Sequence, residues 1–392
     1  MTRPRSLVLI LVIVAVAGAA VGGGGLLARA RSSSEPPAPS HYATPTGAAA
    51  LKSPPPPTPT PRPSRPKATV YLHYYLWWTP QHWHDKLGPQ YPYSAATPPL
   101  PGRMDATGCN PQVAYRGAQV VDVPGEGLYD QGQANTFDEH ISEAATAGVS
   151  GFLVSWKGTG TQRQTPSSSG YDLRLDLLVS RVNAYDRSHG GGFGLGLAFA
   201  SFGDYNRPAA EVIADLDYFA TRYGGDDAFR NRFDRRPIVM WLDSRKYPVA
   251  TVRAVSEAVR SRLYLVGDET PTSWVRDAPY LDATSYYWSS ENPWRNAQAG
   301  PSLARLDAAV RGQGKRWFAP FIPGYNKQLM GGSCVPRRGT QTLRGVWEVN
   351  SRSRPDGWFG ISWNEMVENT YLQPTRAYGS AYLDTLASLI KT

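Results

Sequence analysis

Apolar and polar residues follow two alternating patterns from residue 68 to residue 392. Short runs rich in β-branched and aromatic residues predict eight strands, at residues 70–78, 148–156, 192–202, 236–244, 262–268, 280–288, 316–325 and 357–365. Between them, apolar residues recur every three or four positions, which predicts amphipathic helices, the clearest at 136–148, 171–190, 208–224, 251–262, 302–314, 342–353 and 377–391. Strands and helices in this alternation indicate an α/β fold with a parallel sheet.

Eight strands with intervening helices fit a (β/α)8 TIM barrel, which typically needs ~250 residues plus insertions. An open, doubly wound sheet is the competing prediction, but it favours a Gly-rich turn after the first strand. Here the first strand is followed by residues 79–134, a long segment rich in Trp, Tyr, Pro and His. We therefore predict a barrel with its active site at the C-terminal ends of the strands.

The N-terminal segment has a different character. Residues 6–27 form a run of 22 residues without a charge, which is long enough to cross a bilayer as a helix. Ala28, Arg29 and Ala30 have the small-x-small form of a signal-peptide cleavage site. Residues 1–31 are thus a signal-anchor or a cleaved signal peptide, and the length of the apolar run favours the anchor.

Residues 32–67 form a proline-rich linker that includes the stretch SPPPPTPTPRPSRP. Prolines favour an extended polyproline II chain, so the linker predicts a semi-rigid stalk. A ligand for a small adaptor domain is the alternative interpretation. The predicted organisation places the domain of residues 68–392 outside the cell, either tethered to the cell membrane by a single transmembrane segment or secreted.

The net charge of +9 does not indicate a nucleic-acid partner. Residues 1–67 hold eight of the 41 basic residues and one of the 32 acidic residues, which leaves a net +2 for the rest of the chain. A nearly neutral folded part does not predict a basic groove for nucleic acid. The charges near the apolar run are instead suited to anionic lipid headgroups.

The chain has two cysteines, Cys109 and Cys334. In an oxidising compartment we expect them to form a disulfide that closes a very long loop and stabilises the fold by about 4 to 5 kcal/mol. Two unpaired thiols are the alternative. Two cysteines so far apart do not form the ligand pattern of a cysteine-based zinc site.

The predicted strand ends are rich in aromatic and polar residues, and this composition is typical of a sugar site. The apolar face of a pyranose packs on aromatic rings, while its hydroxyls bind polar side chains. Each aromatic residue by itself could equally fill the core or the rim. The candidate substrate-binding residues are His73, Tyr75, Trp77, Trp156, Trp241, Asp243, Tyr287, Tyr325 and Asn364.

Two of these candidates have a second interpretation of equal weight. His73 alternates with Tyr71 and Tyr75 and should point into the barrel, where it is either a substrate contact or a core histidine. Asp243 either binds a sugar hydroxyl or forms an ion pair with Arg245 or Arg235.

Glu365 and Glu368 follow the eighth strand directly and are the candidate catalytic residues. Cleavage of a glycosidic bond generally uses two carboxyl groups, one protonated and one ionised, and two nearby carboxylates raise the pKa of one of them. Glutamates three residues apart are common on helix faces, so the position after the strand carries the prediction. Asp268 and Glu269 form the rival pair.

The stretch SWNEMVENTYLQP, followed by YGSAYLDTL, resembles the WNEWHEGT signature of glycoside hydrolase family 99, the endo-α-mannosidases and endo-α-mannanases, and of family-99-like domains. YYLWW with His82-Trp83, FDEHISEAATAGVSGFLVSWKG and APFIPGYN extend the resemblance over most of residues 70–385. The resemblance implies a retaining hydrolase that acts within a polysaccharide on α-mannoside-like linkages.

The resemblance also implies roles for the two glutamates. Glu365 would deprotonate the 2-hydroxyl of the sugar, whose oxygen attacks the anomeric carbon and forms a 1,2-anhydro intermediate. Glu368 would protonate the leaving group and then activate water. Met366 and Val367 replace the Trp-His of the signature, and Asn369 replaces its Gly, which leaves open a second function, a tethered carbohydrate-binding barrel without catalysis.

No Gly-rich phosphate loop or HExxH motif occurs in the sequence. We therefore predict no cofactor and no metal. The expected partners are a polysaccharide or glycan substrate and, through the N-terminal segment, a membrane. The chain is expected to act as a monomer.

Overall fold

The computed structural model describes residues 68–94, 98–159, 170–201, 207–231, 233–287 and 291–392. The predicted anchor or signal peptide (1–31) and the linker (32–67) lie outside these residues. The same is true of four residues at the predicted strand ends, Phe202, Asp204, Tyr205 and Trp288. Within the described ranges, no helix combines the length and the apolar character needed to cross a membrane.

Eight parallel strands close into a barrel, in the order β1-β2-β3-β4-β5-β6-β7-β10 around the ring. The first and last strands pair in register, with Val70 opposite Trp358 and Leu72 opposite Gly360. This closure confirms the predicted TIM barrel and excludes the open sheet. The strands are β1 Val70–Tyr74, β2 Gly151–Trp156, β3 Gly194–Ala200, β4 Ile238–Leu242, β5 Tyr264–Asp268, β6 Ala283–Ser285, β7 Arg316–Phe321 and β10 Gly357–Gly360.

Helices cover the outside of the barrel where the amphipathic patterns predict them. Two further helices are short: α1 lies directly after β1, and α6 fills the brief connection between β5 and β6. The helices are α1 Pro80–Leu87, α2 Ala134–Thr146, α3 Tyr171–His189, α4 Ala209–Tyr223, α5 Val249–Val259, α6 Pro271–Asp277, α7 Ala299–Gly312, α8 Gln341–Ser351 and α9 Ala381–Ile390. A small antiparallel hairpin, β8 Tyr325–Asn326 with β9 Cys334–Val335, follows β7.

The interior of the barrel is filled by one or two side chains from each of its eight strands. These residues form one buried cluster: Tyr71, Leu153, Ala198, Ile238, Met240, Tyr264, Val266, Ala283, Phe318 and Phe359. Successive side chains of a strand point to opposite faces, so their neighbours pack outward against the helices in a larger cluster. Membership of one cluster or the other therefore shows which strand residues face the axis.

The long segment after β1 packs over the C-terminal end of the barrel. Its aromatic residues form a third apolar cluster with Met366 and Tyr371 of the loop after β10, through Trp78, Trp83, Leu87, Tyr91, Val120, Val123 and Tyr129. The segment is also bonded covalently to the hairpin, because Cys109 and Cys334 form the predicted disulfide with a Cα–Cα distance of 6.0 Å. The segment thus forms one wall of the barrel mouth.

Candidate active site

The loop after β10, residues 361–372, carries the two glutamates and is held by its own hydrogen bonds. Its first peptide bond, between Ile361 and Ser362, is cis. The Ser362 backbone N–H donates to Thr370 O at 2.8 Å, and the hydroxyls of the two residues lie 2.9 Å apart. The Glu365 N–H donates to the Ser362 hydroxyl at 3.0 Å. These contacts fix the backbone position from which the Glu365 side chain extends.

A buried arginine supports the far end of this loop. Arg337 is 2% exposed, and its guanidinium donates to the carbonyl oxygens of Asn369 and Tyr371 at 2.9 Å each. Its guanidinium also lies over the rings of Tyr371 and Tyr382, at 4.4 and 4.3 Å from the ring centroids. Cation–π contacts of this kind stabilise a buried guanidinium, which has no carboxylate partner among the described residues.

Glu365 is the buried member of the pair. The residue is only 3% exposed, and its Oε1 accepts hydrogen bonds from the backbone N–H groups of Val367 at 2.9 Å and Glu368 at 3.2 Å. Burial, followed by the negative charge of Glu368, raises the pKa of Glu365 to about 8. The two backbone donors and Lys327 oppose this rise but do not cancel it. Glu365 is therefore protonated at neutral pH in the free protein.

Glu368 is the ion-paired member. Its Oε1 accepts a hydrogen bond from the Lys327 ammonium at 2.9 Å, and its side chain remains 24% exposed. Its carbonyl oxygen accepts the N–H of Asn326 in the hairpin at 2.7 Å. The site thus combines a buried carboxyl group of raised pKa with a second carboxyl group in an ion pair, and glycosidic cleavage uses two carboxyl groups in unlike environments.

Four predicted residues form an aromatic wall beside the pair: Tyr75, Trp77, Tyr287 and Tyr325. The Tyr75 and Tyr287 hydroxyls lie 2.7 Å apart, and the Tyr75 ring stacks on Trp77 with centroids 4.4 Å apart. Burial and then the charges of the two glutamates raise the pKa of Tyr325, which identifies Tyr325 as a neighbour of both. Trp77 is only partly buried.

His73 lies on the barrel axis beneath this wall, because it continues the inward-facing positions of β1. Its ring packs edge-on against Tyr287 with centroids 5.1 Å apart. It is fully buried, neither ring nitrogen has a hydrogen-bond partner among the described residues, and burial lowers its pKa to about 3. The inward orientation is as predicted, and the imidazole is neutral.

Asn364 holds the framework of the site and does not face a ligand, which corrects the sequence prediction. Its Oδ1 accepts the Tyr75 N–H at 2.8 Å, and its Nδ2 donates to the Tyr75 carbonyl oxygen at 2.9 Å. Its carbonyl oxygen accepts the indole N–H of Trp78 at 2.8 Å. The side chain is fully buried, so it joins the end of β1 to the loop after β10.

Trp156 and Trp241 are on the wrong face of the barrel to contact a substrate, which is a second correction. Both belong to the outer apolar cluster. The Trp156 indole N–H donates to Asp172 of α3 at 3.0 Å, and that of Trp241 donates to the Ser201 hydroxyl at 2.5 Å. Both rings are almost completely buried. They pack between strands and helices, where an indole has a polar partner and no access to a glycan.

Asp243 forms the ion pair that was the alternative to a sugar contact. Its carboxylate lies 2.8 Å from Arg245 and 3.1 Å from Lys246. Arg245 also pairs with Asp268, whose two oxygens accept the backbone N–H groups of Asp243 and Tyr287. Asp268 therefore joins the ends of β4, β5 and β6.

The two carboxylates of the rival pair, Asp268 and Glu269, point in opposite directions. Asp268 faces inward with its oxygens occupied, whereas Glu269 faces outward and accepts the Ser244 hydroxyl at 2.5 Å. Burial raises the pKa of Glu269 to about 7. A raised pKa alone is not a catalytic signal here, because the neighbouring acid points to the other face of the strand.

Three charged or polar residues at the site were not among the predicted ones. Lys327 contacts Glu368, and Lys86 of α1 lies close enough to Glu365 for the two charges to interact, while its ammonium donates to Gln119 at 2.7 Å. His82 is stacked on Trp77 and is 5% exposed, and burial lowers its pKa to about 4. Lys327 follows Tyr325-Asn326 at a predicted strand end, and this position is the feature of the sequence from which Lys327 could have been predicted.

Among the described residues, no group of three or more His, Cys, Asp or Glu side chains could hold a metal ion.

Solved structures with the same architecture include a family 99 glycoside hydrolase. The endo-alpha-mannosidase of Bacteroides thetaiotaomicron, in complex with bis-tris-propane, matches with a TM-score of 0.62 and 16% identity over 83% of this chain and 97% of that chain. A second structure of that enzyme matches with a TM-score of 0.60 and 16% identity over 82% and 96% of the two chains. This chain shares its fold with that family 99 enzyme.

A further solved structure, described as a glycoside hydrolase-like protein, matches with a TM-score of 0.56 and 15% identity over 86% of this chain and 98% of that chain. No protein-family model matches the sequence, and no curated protein matches it. The resemblance to family 99 predicted from short motifs is thus confirmed at the level of the fold over most of residues 68–392. Identities near 16% leave substrate and activity to be argued from the site itself.

Proposed function

We propose that the domain of residues 68–392 is a glycoside hydrolase that cleaves α-mannoside-like linkages within a polysaccharide. The observation that supports this most directly is the pair of unlike carboxyl groups, Glu365 buried and protonated and Glu368 ion-paired with Lys327. The aromatic wall beside them offers ring faces and hydroxyls to a pyranose. The fold shared with the Bacteroides endo-alpha-mannosidase supports the choice of linkage.

In the proposed reaction, the 2-hydroxyl of the sugar loses its proton to Glu365 while its oxygen attacks the anomeric carbon. Glu368 donates a proton to the departing glycosidic oxygen, and the bond to the leaving sugar breaks. Water then opens the 1,2-anhydro ring: Glu368 takes a proton from the water, and the 2-oxygen recovers one from Glu365. Both carboxyl groups return to their starting states, and the anomeric configuration is retained.

This sequence needs the proton on Glu368 at the start, whereas the free protein holds it on Glu365. The two states are tautomers of one singly protonated pair, so the difference is the position of a proton and not the number of protons. We propose that a bound sugar separates Lys327 from Glu368. In the free protein the Lys327 ammonium lies 2.9 Å from Glu368. Once it has moved away, it no longer stabilises the ionised form of Glu368, and the shared proton transfers more readily from Glu365 to Glu368.

The test uses the full chain with α-mannans of defined linkage and measures new reducing ends over time. Glu368→Gln and Glu365→Gln should each reduce the rate by at least about a hundredfold, since each removes a group that transfers a proton. Glu348→Gln is the matched control, because this glutamate is exposed on α8 and, among the residues that the structure describes, pairs with Arg352 alone. Full activity in either active-site variant would refute the proposed roles.

A carbohydrate-binding barrel without catalysis is the second candidate. The replacement of Trp-His by Met366-Val367 between the glutamates is the observation that raises this possibility. It predicts glycan binding by calorimetry that survives both Glu→Gln changes, with no new reducing ends.

For either function, we propose that residues 1–67 tether a monomeric domain at the outer surface of the cell membrane or direct its secretion. Fractionation of cells that express the full chain tests this placement.

A further inference from the structure

A second cleft lies beside the disulfide. Its volume is about 680 Å³, and the residues that line it come from three parts of the chain: the long segment after β1, the segment between β6 and α7, and the hairpin with the turn that follows it. The Cys109–Cys334 disulfide joins the first part to the third. Neither Glu365 nor Glu368 is among the described residues that line this cleft.

Two arginines line this cleft, Arg338 and Arg295. The Arg338 guanidinium lies over the Trp294 ring, 4.2 Å from its centroid. The indole itself is held in place, because its N–H donates to the Thr342 hydroxyl at 2.8 Å. When the flat face of a guanidinium stacks on a ring, the N–H groups at its edge remain accessible and can donate to a planar or tetrahedral oxyanion. Trp294 remains 42% exposed.

Neither arginine has a carboxylate within ion-pair distance among the described residues. The acid of this cleft is Asp105, and its oxygens are occupied by its own loop. Oδ1 accepts from the backbone N–H groups of Thr107 and Cys109 and from the Thr107 hydroxyl, and Oδ2 accepts from the Asn110 amide. These donors lower the pKa of Asp105 to about 2. The cleft therefore carries two cations for one internally satisfied anion.

The remaining lining is mixed: Asn292, Gln328 and Ser333 contribute polar side chains, and Pro336 and the disulfide contribute apolar surface. The cleft also adjoins the proposed active site. Gln328 accepts the Asn110 N–H at 2.8 Å, and the preceding residue, Lys327, contacts Glu368. The cleft and the proposed active site therefore share the Lys327–Gln328 segment.

We propose that the arginine cleft, formed by Arg295, Arg338, Trp294, Asn292, Gln328 and Ser333, binds a sugar that carries an oxyanion substituent. Arg338 and Arg295 hold the phosphate or carboxylate, and the amide and hydroxyl groups bind the neighbouring sugar hydroxyls. The proposal rests on the proposed function only in naming a glycan as the ligand. It assigns an acidic group to the polysaccharide that this protein binds.

The test is calorimetry on the full chain carrying Glu368→Gln, so that binding is measured without cleavage. The probes are mannose 6-phosphate, glucuronic acid and mannose. We expect the phosphate sugar, the uronic acid or both to bind more tightly than mannose, with an affinity that falls as salt is added. The probe that binds more tightly identifies the phosphate or the carboxylate as the natural substituent.

Arg338→Gln and Arg295→Gln should each weaken binding of the preferred probe by about tenfold to a hundredfold, because each removes a charge-assisted hydrogen bond. Arg253→Gln on α5 is the matched control, since this arginine is exposed and distant from the cleft in the chain. Both cleft arginines are exposed, so the variants should keep the parental melting temperature. Equal affinity for all three sugars, or an equal loss in the control, would overturn the proposal.

The binding test of the arginine cleft and the cleavage test of the hydrolase can fail independently. If Arg338 is needed to bind an anionic sugar, but the parent chain releases no reducing ends from either neutral or acidic mannans, the arginine cleft is supported and the hydrolase is refuted. A chain that cleaves neutral mannan and binds all three probes alike supports the hydrolase and refutes the arginine cleft.

Discussion

The Glu365→Gln variant should be more stable than the parent protein at alkaline pH, and the difference should vanish in acid. Glutamine keeps the side-chain oxygen that accepts the Val367 and Glu368 backbone N–H groups at 2.9 and 3.2 Å. It also has nearly the same volume and cannot ionise. The variant thus isolates the cost of placing a negative charge at this buried position.

The magnitude follows from the pKa of Glu365, which rises from 4.5 to about 8 on folding. In the unfolded chain the group ionises above pH 4.5, while in the folded protein it stays neutral until pH 8. The folded state therefore binds the proton more tightly, and stability falls as pH rises through this window. At about 1.4 kcal/mol per pKa unit, the loss approaches an upper limit of about 5 kcal/mol by pH 9.

The assay is urea unfolding of parent and variant at pH 4.5, 7 and 9, with the free energy of unfolding obtained from each curve. The buried Glu269, whose pKa is also raised, to about 7, is present in both proteins and cancels in the difference. Glu348→Gln controls for the loss of an exposed glutamate. A difference that stays constant across pH, or that shrinks as pH rises, would refute a protonated, buried Glu365.

Four further outcomes are expected. Activity on mannan should fall above about pH 8, where Glu365 loses the shared proton, as a pH–rate profile would show. Cys109→Ser should lower the free energy of unfolding by about 5 kcal/mol, because the disulfide closes a loop with a sequence separation of 225. Asn364→Asp should destabilise by about 2 to 4 kcal/mol in urea unfolding, since a carboxylate oxygen would face the Tyr75 carbonyl. Trp241→Phe should cost about 1 to 2 kcal/mol in the same assay and leave glycan affinity by calorimetry unchanged.

The barrel was predictable because its strands and helices differ in apolar period. Runs such as residues 148–156 and 236–244 are short and apolar at most of their central positions, as expected of strands buried on both faces. The same property explains the errors at Trp156 and Trp241. When both faces of a strand are buried, an aromatic residue fits either one, and composition does not identify the face that lines the barrel mouth.

The glutamate pair was predictable from its position after the last strand, but the partners of the pair were not. Lys327 reaches Glu368 only because the β8–β9 hairpin turns back over the mouth, with Tyr325 paired to Val335. Asn364 shares its motif with Glu365, yet its amide matches the backbone of Tyr75. Contacts between segments nearly 300 positions apart depend on the closure of the barrel and are not encoded in local spacing.

The exchange of Trp-His for Met366-Val367 is compatible with a working pair of glutamates. Met366 is fully buried in the apolar cluster that the long segment forms with Trp78 and Trp83, so it replaces one large apolar side chain of the signature by another. At position 367 the contact to Glu365 comes from the backbone N–H, which any residue except proline supplies. The geometry of the carboxylates therefore does not depend on the exchanged side chains, and this favours the hydrolase over a barrel that only binds.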